Sequence, residues 1–344
     1  MKELRDIIFR TGYITQFYQH LYGCRPSSIE FIDQGVLNYV YKASSPRGTL
    51  YFKQALRKAK YAQKLGKDLA SVDFRRIKTE RKVIDKINQL LPSSIFLPRV
   101  LRYDSRHNIM VFSDVAGSRS VLLQDLLLNH TYPVKAASLI GCFLALVHQN
   151  TFKKITPVRG SYSLDKKNWL LFLNMRTKAI VRKGSNKALQ EEITKLYQEG
   201  LQHTHPVLII MDCCPKNIIC RSDGAISVID FELASAVGDP AYDLGFLLGH
   251  FILFATLSGW PRSSICFIRQ LLKSYFQHVT FLPQGNLYLR TMKYAGCVLL
   301  YRMYGASPAK YIPLRMYPQL KIKAKELILS NITTLDEAMG VIHK

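Results

Sequence analysis

Acidic residues are scarce in this 344-residue chain: 24 Asp and Glu stand against 48 Lys and Arg, a formal charge of +24. Long apolar runs are missing too. The longest, 246–257, falls short of the roughly 20 residues a bilayer span needs and contains His250, so it suits a buried helix. The seven cysteines (Cys24, Cys142, Cys213, Cys214, Cys220, Cys266 and Cys297) include no C-x-x-C pair. An odd set without zinc spacing argues against a disulfide framework, and the adjacent Cys213 and Cys214 lack the partner pair a metal would need. The N-terminus has charges inside its first apolar stretch and no small-residue cleavage site, so it reads as an amphipathic first helix rather than a signal peptide. No repeat or low-complexity tract occurs. These absences lead to the expectation of a soluble, cytoplasmic protein with reduced thiols and no transmembrane segment.

What is present is ordinary globular material. Hydrophobic residues make up 48% and charged residues 21%, which permits a sizeable core and excludes a disordered chain. The length suits two domains of about 100–200 residues each. Positive charge concentrates at 57–86 and 166–187. Such clusters attract the phosphates of nucleotides, nucleic acid or anionic lipid. Neither interleaves aromatics at a nucleic-acid motif spacing, so a solvated basic surface is the preferred reading and nucleic acid the lesser one.

Segments 38–43 and 49–54, rich in Tyr, Val and Phe, read as strands joined by a hairpin loop at 44–48. A helix follows, with Asp73 as its N-cap and Phe74, Ile77, Ile84, Ile87 and Leu91 on one stripe. Another strand fits 109–113. Beyond Gly117 long helical patterns take over, such as 136–149 and 242–257, interrupted by a short hairpin at 217–220 and 225–230. The chain therefore divides into a strand-rich domain, 1–115, and a mainly helical one, 116–344.

The interrupting hairpin carries the chemistry. Asp212 and Asn217 lie five apart, and Asp230 closes the second strand. The turn Arg221-Ser222-Asp223-Gly224 sets Asn217 opposite Ile229 or Asp230, so three polar groups converge at one end of an apolar hairpin. Phosphoryl transfer uses such a set: one carboxylate to orient or accept the proton of the attacking hydroxyl, and a carboxylate with an amide to hold Mg²⁺, a hard cation that takes oxygen ligands. Taken singly, each residue is equally a turn cap. Lys53 stands in a strand, and Glu80 falls on the apolar stripe of the following helix, where an unpaired carboxylate is costly; Lys53 is its natural partner. The competing reading has both at the surface.

The pattern D-x-x-x-x-N (212–217), then I-D-F-E (229–232) and G-D-P-A-Y-D-L-G (238–245), resembles the aminoglycoside phosphotransferase and choline kinase group of small-molecule kinases. That resemblance covers roughly 30–310. It implies an α+β, protein-kinase-like bilobal fold with ATP and Mg²⁺ as cofactors. It makes Asp212 the catalytic base, Asn217 and Asp230 the metal ligands, and Asp243 a brace for the catalytic loop at a helix start. Lys53 and Glu80 would bind and orient the α/β-phosphates. The segment 34–41 takes the place of the phosphate-covering loop. With Gly35 and Asn38 in a G-x-x-N arrangement it resembles methylthioribose kinases. Backbone near Ser113 and Val115 would meet adenine at the interdomain hinge. His148 matches the end of a family helix in a structural role. The segment 299–312 resembles family helices that line the acceptor cleft, which makes Arg302 and Tyr304 candidates there, with core packing the preferred reading. Most relatives carry His-Gly before the base; here Ile210-Met211 precede it.

The acceptor is read by subtraction. Only twelve residues separate Asp230 from Asp243, too few for the long activation segment that docks peptides in protein kinases. After Glu232 the only acids are Asp239, Asp243, Glu326, Asp336 and Glu337, which disfavours a polycationic acceptor. A neutral or anionic polyol, such as a sugar or thiosugar, fits better. Two other classes compete: a pseudokinase with a scaffolding role, and a basic protein binding nucleic acid or membrane.

Overall fold

The computed structural model describes residues 11–33, 37–56, 75–117, 119–156, 180, 186–201, 206–305 and 308–343. Gly35, Asp73 and Phe74, named above, lie outside these residues, as do parts of both basic clusters.

An antiparallel five-stranded sheet forms the first lobe. Its strands are β1 (Ser28–Ile32), β2 (Asn38–Ser45), β3 (Gly48–Ala55), β5 (Val100–Asp104) and β6 (Ile109–Ser113), in the order β1-β2-β3-β6-β5. β2 and β3 run longer than the sequence suggests, because Ser45 pairs with Gly48 and leaves only Pro46-Arg47 to turn. Side chains alternate across a strand, and β3 uses both faces. Leu50 and Phe52 bury against Ile14 and Tyr18 of the helix Thr11–Tyr22. Lys53 faces the other way, toward the helix Arg76–Asn88, whose buried side includes Ile77, Val83, Ile84 and Ile87.

The rest is mainly helical and is built around the helix Pro240–Leu257. That helix is long and apolar enough to cross a membrane by length and composition, yet 94% of it is buried inside the molecule, the pattern of a core helix. Asp239 caps its N-terminus by accepting from the Ala241 N–H at 3.0 Å, and Pro240 takes the first-turn position where its missing N–H costs nothing. Gly245 and Gly249 bring it against the helix Gln284–Tyr304: a Cβ at either would meet backbone oxygen of Thr291 or Ala295 within 2.7 Å. This close seam fixes the height and rotation of the first turn, which carries Asp243.

A second sheet joins the lobes, in the order β4 (Ile95–Phe96), β9 (Ile226–Val228), β8 (Ile218–Cys220) and β7 (Val121–Leu122). β8 and β9 form the hairpin read from the sequence, each shorter by a residue or more. Gly224, at φ 80°, makes the turn, a conformation that carries no Cβ penalty for glycine.

Candidate active site

Lys53 is buried and bound to two carboxylates at once: Glu80 Oε2 at 2.8 Å and Asp230 Oδ1 at 2.6 Å. Glu232 Oε2 lies 3.6 Å away. Burial works against an ammonium here, but Asp230, Glu232 and Glu80 outweigh it and hold Lys53 charged, well above the ordinary lysine range. Glu80 feels the opposite balance. Burial, helped by Asp230 and Glu232, pushes its carboxyl up to about 7 despite Lys53. Its second oxygen accepts from the Phe231 N–H at 3.3 Å, which ties the helix Arg76–Asn88 to the Asp230 loop. For Asp230, burial is overcome by Lys53, Lys216 and Arg76, and its pKa falls below the usual carboxylate range. Its φ of 70° is the left-handed conformation, which aspartate tolerates better than most residues.

A second buried group stands beside this one and was not anticipated from the sequence. Arg76 is fully buried. Its Nε donates to Glu232 Oε2 at 3.1 Å, and its Nη2 donates to Asn38 Oδ1 at 2.6 Å and to the Leu37 carbonyl at 2.9 Å. Asn38 Nδ2 in turn donates to Glu232 Oε2 at 2.8 Å. Asn38, read from sequence as a nucleotide contact, is thus turned inward and binds protein. The cue for Arg76 was available: it precedes Glu80 by four residues, so the two share a helix face, and Glu232 follows Asp230 by two.

The catalytic-loop candidates come from below. Asn217 ends a 3-10 turn, Pro215–Asn217, that leads into β8. Its Nδ2 donates to the Asp212 carbonyl at 2.9 Å and to Asp212 Oδ2 at 3.3 Å. Its carbonyl accepts from the Ile229 N–H at 3.0 Å, so it sits opposite Ile229, one residue from Asp230. Lys216 Nζ lies 3.3 Å from Asp212 Oδ2, and Asp212 holds this lysine charged. At the expected hinge, the Val115 carbonyl accepts from Arg221 Nη1 at 2.8 Å and Ser227 Oγ at 2.7 Å, while Ser113 ends β6 with its N–H on the Arg99 carbonyl at 3.0 Å. Both residues therefore stand where the first sheet meets the second.

The donor set suits a hard divalent cation. Because Asn217 Nδ2 is committed to Asp212, the amide oxygen is the atom left for a metal, and the Asp230 carboxylate is about a third exposed. Lys53 and Arg76 against Glu80, Asp230 and Glu232 leave one negative charge in excess when all are ionised. Oxygen donors with surplus negative charge match Mg²⁺ chemistry. The Cys213 thiol does not compete: burial, then Asp243, pushes it well above its usual range.

Residues 28–270, more than half of the chain, match the family model described as the phosphotransferase enzyme family. The chain belongs to that family. With that membership it is a small-molecule kinase. A search of curated protein sequences gives no significant match. Among solved structures, the choline kinase LicA from Streptococcus pneumoniae superposes with a TM-score of 0.51 at 13% identity, covering 93% of this chain and 99% of that one. A choline/ethanolamine kinase family protein from Mesorhizobium loti gives 0.52 at 14% identity, covering 96% and 99%. A thermostable mutant of the aminoglycoside phosphotransferase APH(4)-Ia gives 0.52 at 13%, covering 93% and 100%. LicA has been solved with AMP, and APH(4)-Ia in a ternary complex with AMP-PNP and hygromycin B. At these identities the likeness establishes the protein-kinase-like fold.

In this member of the phosphotransferase enzyme family, Ile210 and Met211 precede Asp212. Their N–H groups donate to Asp243, Ile210 to Oδ2 at 2.6 Å and Met211 to Oδ1 at 2.8 Å. Met211 is buried with φ 67°, an uncommon conformation for a residue with a side chain. The helix cap is Asp239, which leaves Asp243 in the first turn free to aim at the loop. His148 Nε2 lies 3.2 Å from Asp243 Oδ2 and its Nδ1 2.9 Å from Tyr275 Oη, all three fully buried. Arg302 stands over the Tyr311 ring at 6.0 Å, and Tyr304 packs edge-on against Tyr317.

Proposed function

We propose that the protein transfers the γ-phosphoryl group of ATP to a hydroxyl of a neutral or anionic polyol, with Asp212 as the catalytic base. The observation that carries this reading is the meeting of two separately built groups at the end of one hairpin: the pair Lys53–Glu80 from the first lobe, bound to Asp230 after β9, and Asp212–Asn217 from the loop before β8.

In this reading Asp212 orients the acceptor hydroxyl and takes its proton. Asn217 and Asp230 hold Mg²⁺, which when bound neutralises phosphate charge and orients the transferred group. Lys53, fixed by Glu80, pairs with the α/β-phosphates. Backbone at Ser113 and Val115 meets adenine, and Gly35, read from the sequence as a further nucleotide contact, lies outside the described residues. Asn38 contributes indirectly, through Arg76 and Glu232. ATP use is supported by the adenine nucleotides seen in the solved relatives.

The acceptor class rests on the fate of the acids after Glu232. Asp239 is spent on Arg290 at 2.7 Å, Asp243 on the loop backbone, Glu326 on Lys323 at 3.0 Å, Asp336 on Arg269 at 3.3 Å and Glu337 on the Thr333 N–H at 2.8 Å. A polycationic acceptor would find each of these carboxylates already engaged.

The test is ADP release from MgATP against sugars, thiosugars, amino alcohols and aminoglycosides, with Asp212→Ala in parallel. Acceptor-dependent release should fall by about 10²–10⁴-fold in the variant. Equal release from both proteins would remove Asp212 from the mechanism. Turnover of aminoglycosides matching that of any sugar would overturn the acceptor class.

A further inference from the structure

Lys216 has no part in the chemistry assigned so far, yet its ammonium lies against the carboxylate of Asp212, on which that chemistry depends. It occupies the middle of the turn Pro215–Asn217. Its Nζ is 3.3 Å from Asp212 Oδ2, the same oxygen that Asn217 Nδ2 approaches at 3.3 Å. After Asp212 and its nearer surroundings, Asp230 also acts on it.

Comparison with Lys53 shows what this position allows. The Lys53 side chain is 8% exposed and clamped by partners at 2.6 and 2.8 Å. The Lys216 side chain is 45% exposed, and its separation from Asp212 exceeds the roughly 2.7–2.9 Å of a tight charge-assisted bond. One cation is locked on the nucleotide side. The other is held less tightly, beside the carboxylate that the acceptor hydroxyl must approach.

In phosphoryl transfer the bond from γ-phosphorus to the bridging oxygen breaks, and its electron pair stays on the nucleoside diphosphate. The acceptor oxygen forms the new bond and its proton goes to the base. Charge meanwhile spreads over the three equatorial oxygens of the transferred group. Lys53 and the metal site serve the leaving side. On the kinase reading given above, we propose that Lys216 is a catalytic residue whose ammonium contacts the γ-phosphoryl oxygens from the acceptor side. It remains protonated throughout and gives up nothing to the reaction. A cation placed where charge develops contributes more to the transition state than to the ground state, so its loss should appear chiefly in kcat.

The test uses Lys216→Met and Lys216→Arg in the full chain, with calorimetric titration of MgADP and of the magnesium complex of a β,γ-imido triphosphate. Half exposure of the side chain makes Lys216→Met compatible with folding, and thermal unfolding checks this; Lys216→Gln is the substitute. Affinity for the diphosphate should stay within about twofold while affinity for the imido triphosphate falls about tenfold, as expected for one lost charged contact. The kcat at saturating nucleotide should drop about 10²-fold, with Lys216→Arg recovering much of it. Parallel changes in both nucleotides, or no selective loss of the triphosphate, would overturn the proposal. Failure of the kinase reading looks different: Asp212→Ala would leave turnover unchanged, while the contrast between the two nucleotides still decides whether Lys216 reaches the third phosphate.

Discussion

Above the cleft, Lys53, Arg76, Glu80, Asp230, Glu232 and Asn38 hold one another through side chains, in a buried network that spans β2, β3, the helix Arg76–Asn88 and the loop after β9. Below it, the loop with Asp212 is held almost entirely by its backbone, on the two oxygens of Asp243, with His148 and Tyr275 behind. The first arrangement is a set of opposed charges whose members shift one another's protonation. The second is one carboxylate in an apolar shell, placed by helix packing. Electrostatics fixes the groups that would meet phosphate, and packing fixes the group that would meet the acceptor. The two halves should therefore fail in different ways.

The largest effect is expected below the cleft. Asp243→Ala leaves two buried N–H groups and His148 without their acceptor. Each unsatisfied buried group costs about 1–3 kcal/mol, so for three groups urea unfolding should show a loss on the order of 3–9 kcal/mol. Because those N–H groups set the conformation at Met211, turnover should vanish with the stability. Asp243→Asn keeps one acceptor oxygen and should fall between the two. Turnover surviving in Asp243→Ala would mean that the loop holds its shape without the brace.

Above the cleft the signature is recovery by a second substitution. Arg76→Met takes from Glu232 its nearest cation, leaving it the more distant Lys53 and the Asn38 amide, and removes a partner from Asn38; breaking a buried pair in this way costs about 3–5 kcal/mol. Arg76→Met with Glu232→Leu removes both charges, and replacing such pairs with apolar side chains is often nearly neutral. The double variant should therefore regain at least about 1 kcal/mol over the single one, read as a coupling energy from urea unfolding. Its nucleotide KM should stay raised, because Lys53 would lose a carboxylate 3.6 Å away. Additive losses would show that Arg76 and Glu232 are not energetically joined.

This contrast also explains how much could be read in the sequence. The lower half has a local signature: D-x-x-x-x-N, the I-D-F-E hairpin and G-D-P-A-Y-D-L-G put Asp212, Asn217, Asp230 and Asp243 within a stretch of 32 residues. The five-stranded sheet was legible at β2, β3 and β6, where alternation and the Pro-Arg-Gly turn are strong, and the core helices at 136–149 and 242–257 were legible from apolar content. The upper half depends on side chains far apart in the chain. Asn38 and Glu232 are 194 residues apart. Nothing near Asn38 signals that its amide turns inward, because its position beside a presumed phosphate loop suggests the opposite. The contact between His148 and Asp243, 95 residues apart, was hidden for the same reason.

The smallest effect tests whether the upper network behaves as coupled charges or as an ordinary salt bridge. Glu80 binds its proton more tightly in the folded chain, at about 7, than at the ordinary glutamate value of 4.5 that holds for the unfolded one. Folding therefore takes up a proton between those values. The stability owed to this carboxyl is greatest below about pH 4.5 and is lost as pH rises toward 7. Glu80→Gln cannot ionise, and in it Lys53 keeps Asp230 and Glu232 as partners. The stability of Glu80→Gln relative to the parent should therefore climb from pH 5 to pH 7.5, by on the order of 2 kcal/mol at 1.36 kcal/mol per pKa unit. Urea unfolding of the two proteins at pH 5, 6 and 7.5 measures it. A difference that stays flat would mean that Lys53 keeps Glu80 ionised across the range, and the upper half would then reduce to a simple ion pair flanked by spectators. A climbing difference would mean that the excess negative charge is shared, with Glu80 as the site where the folded protein relieves it.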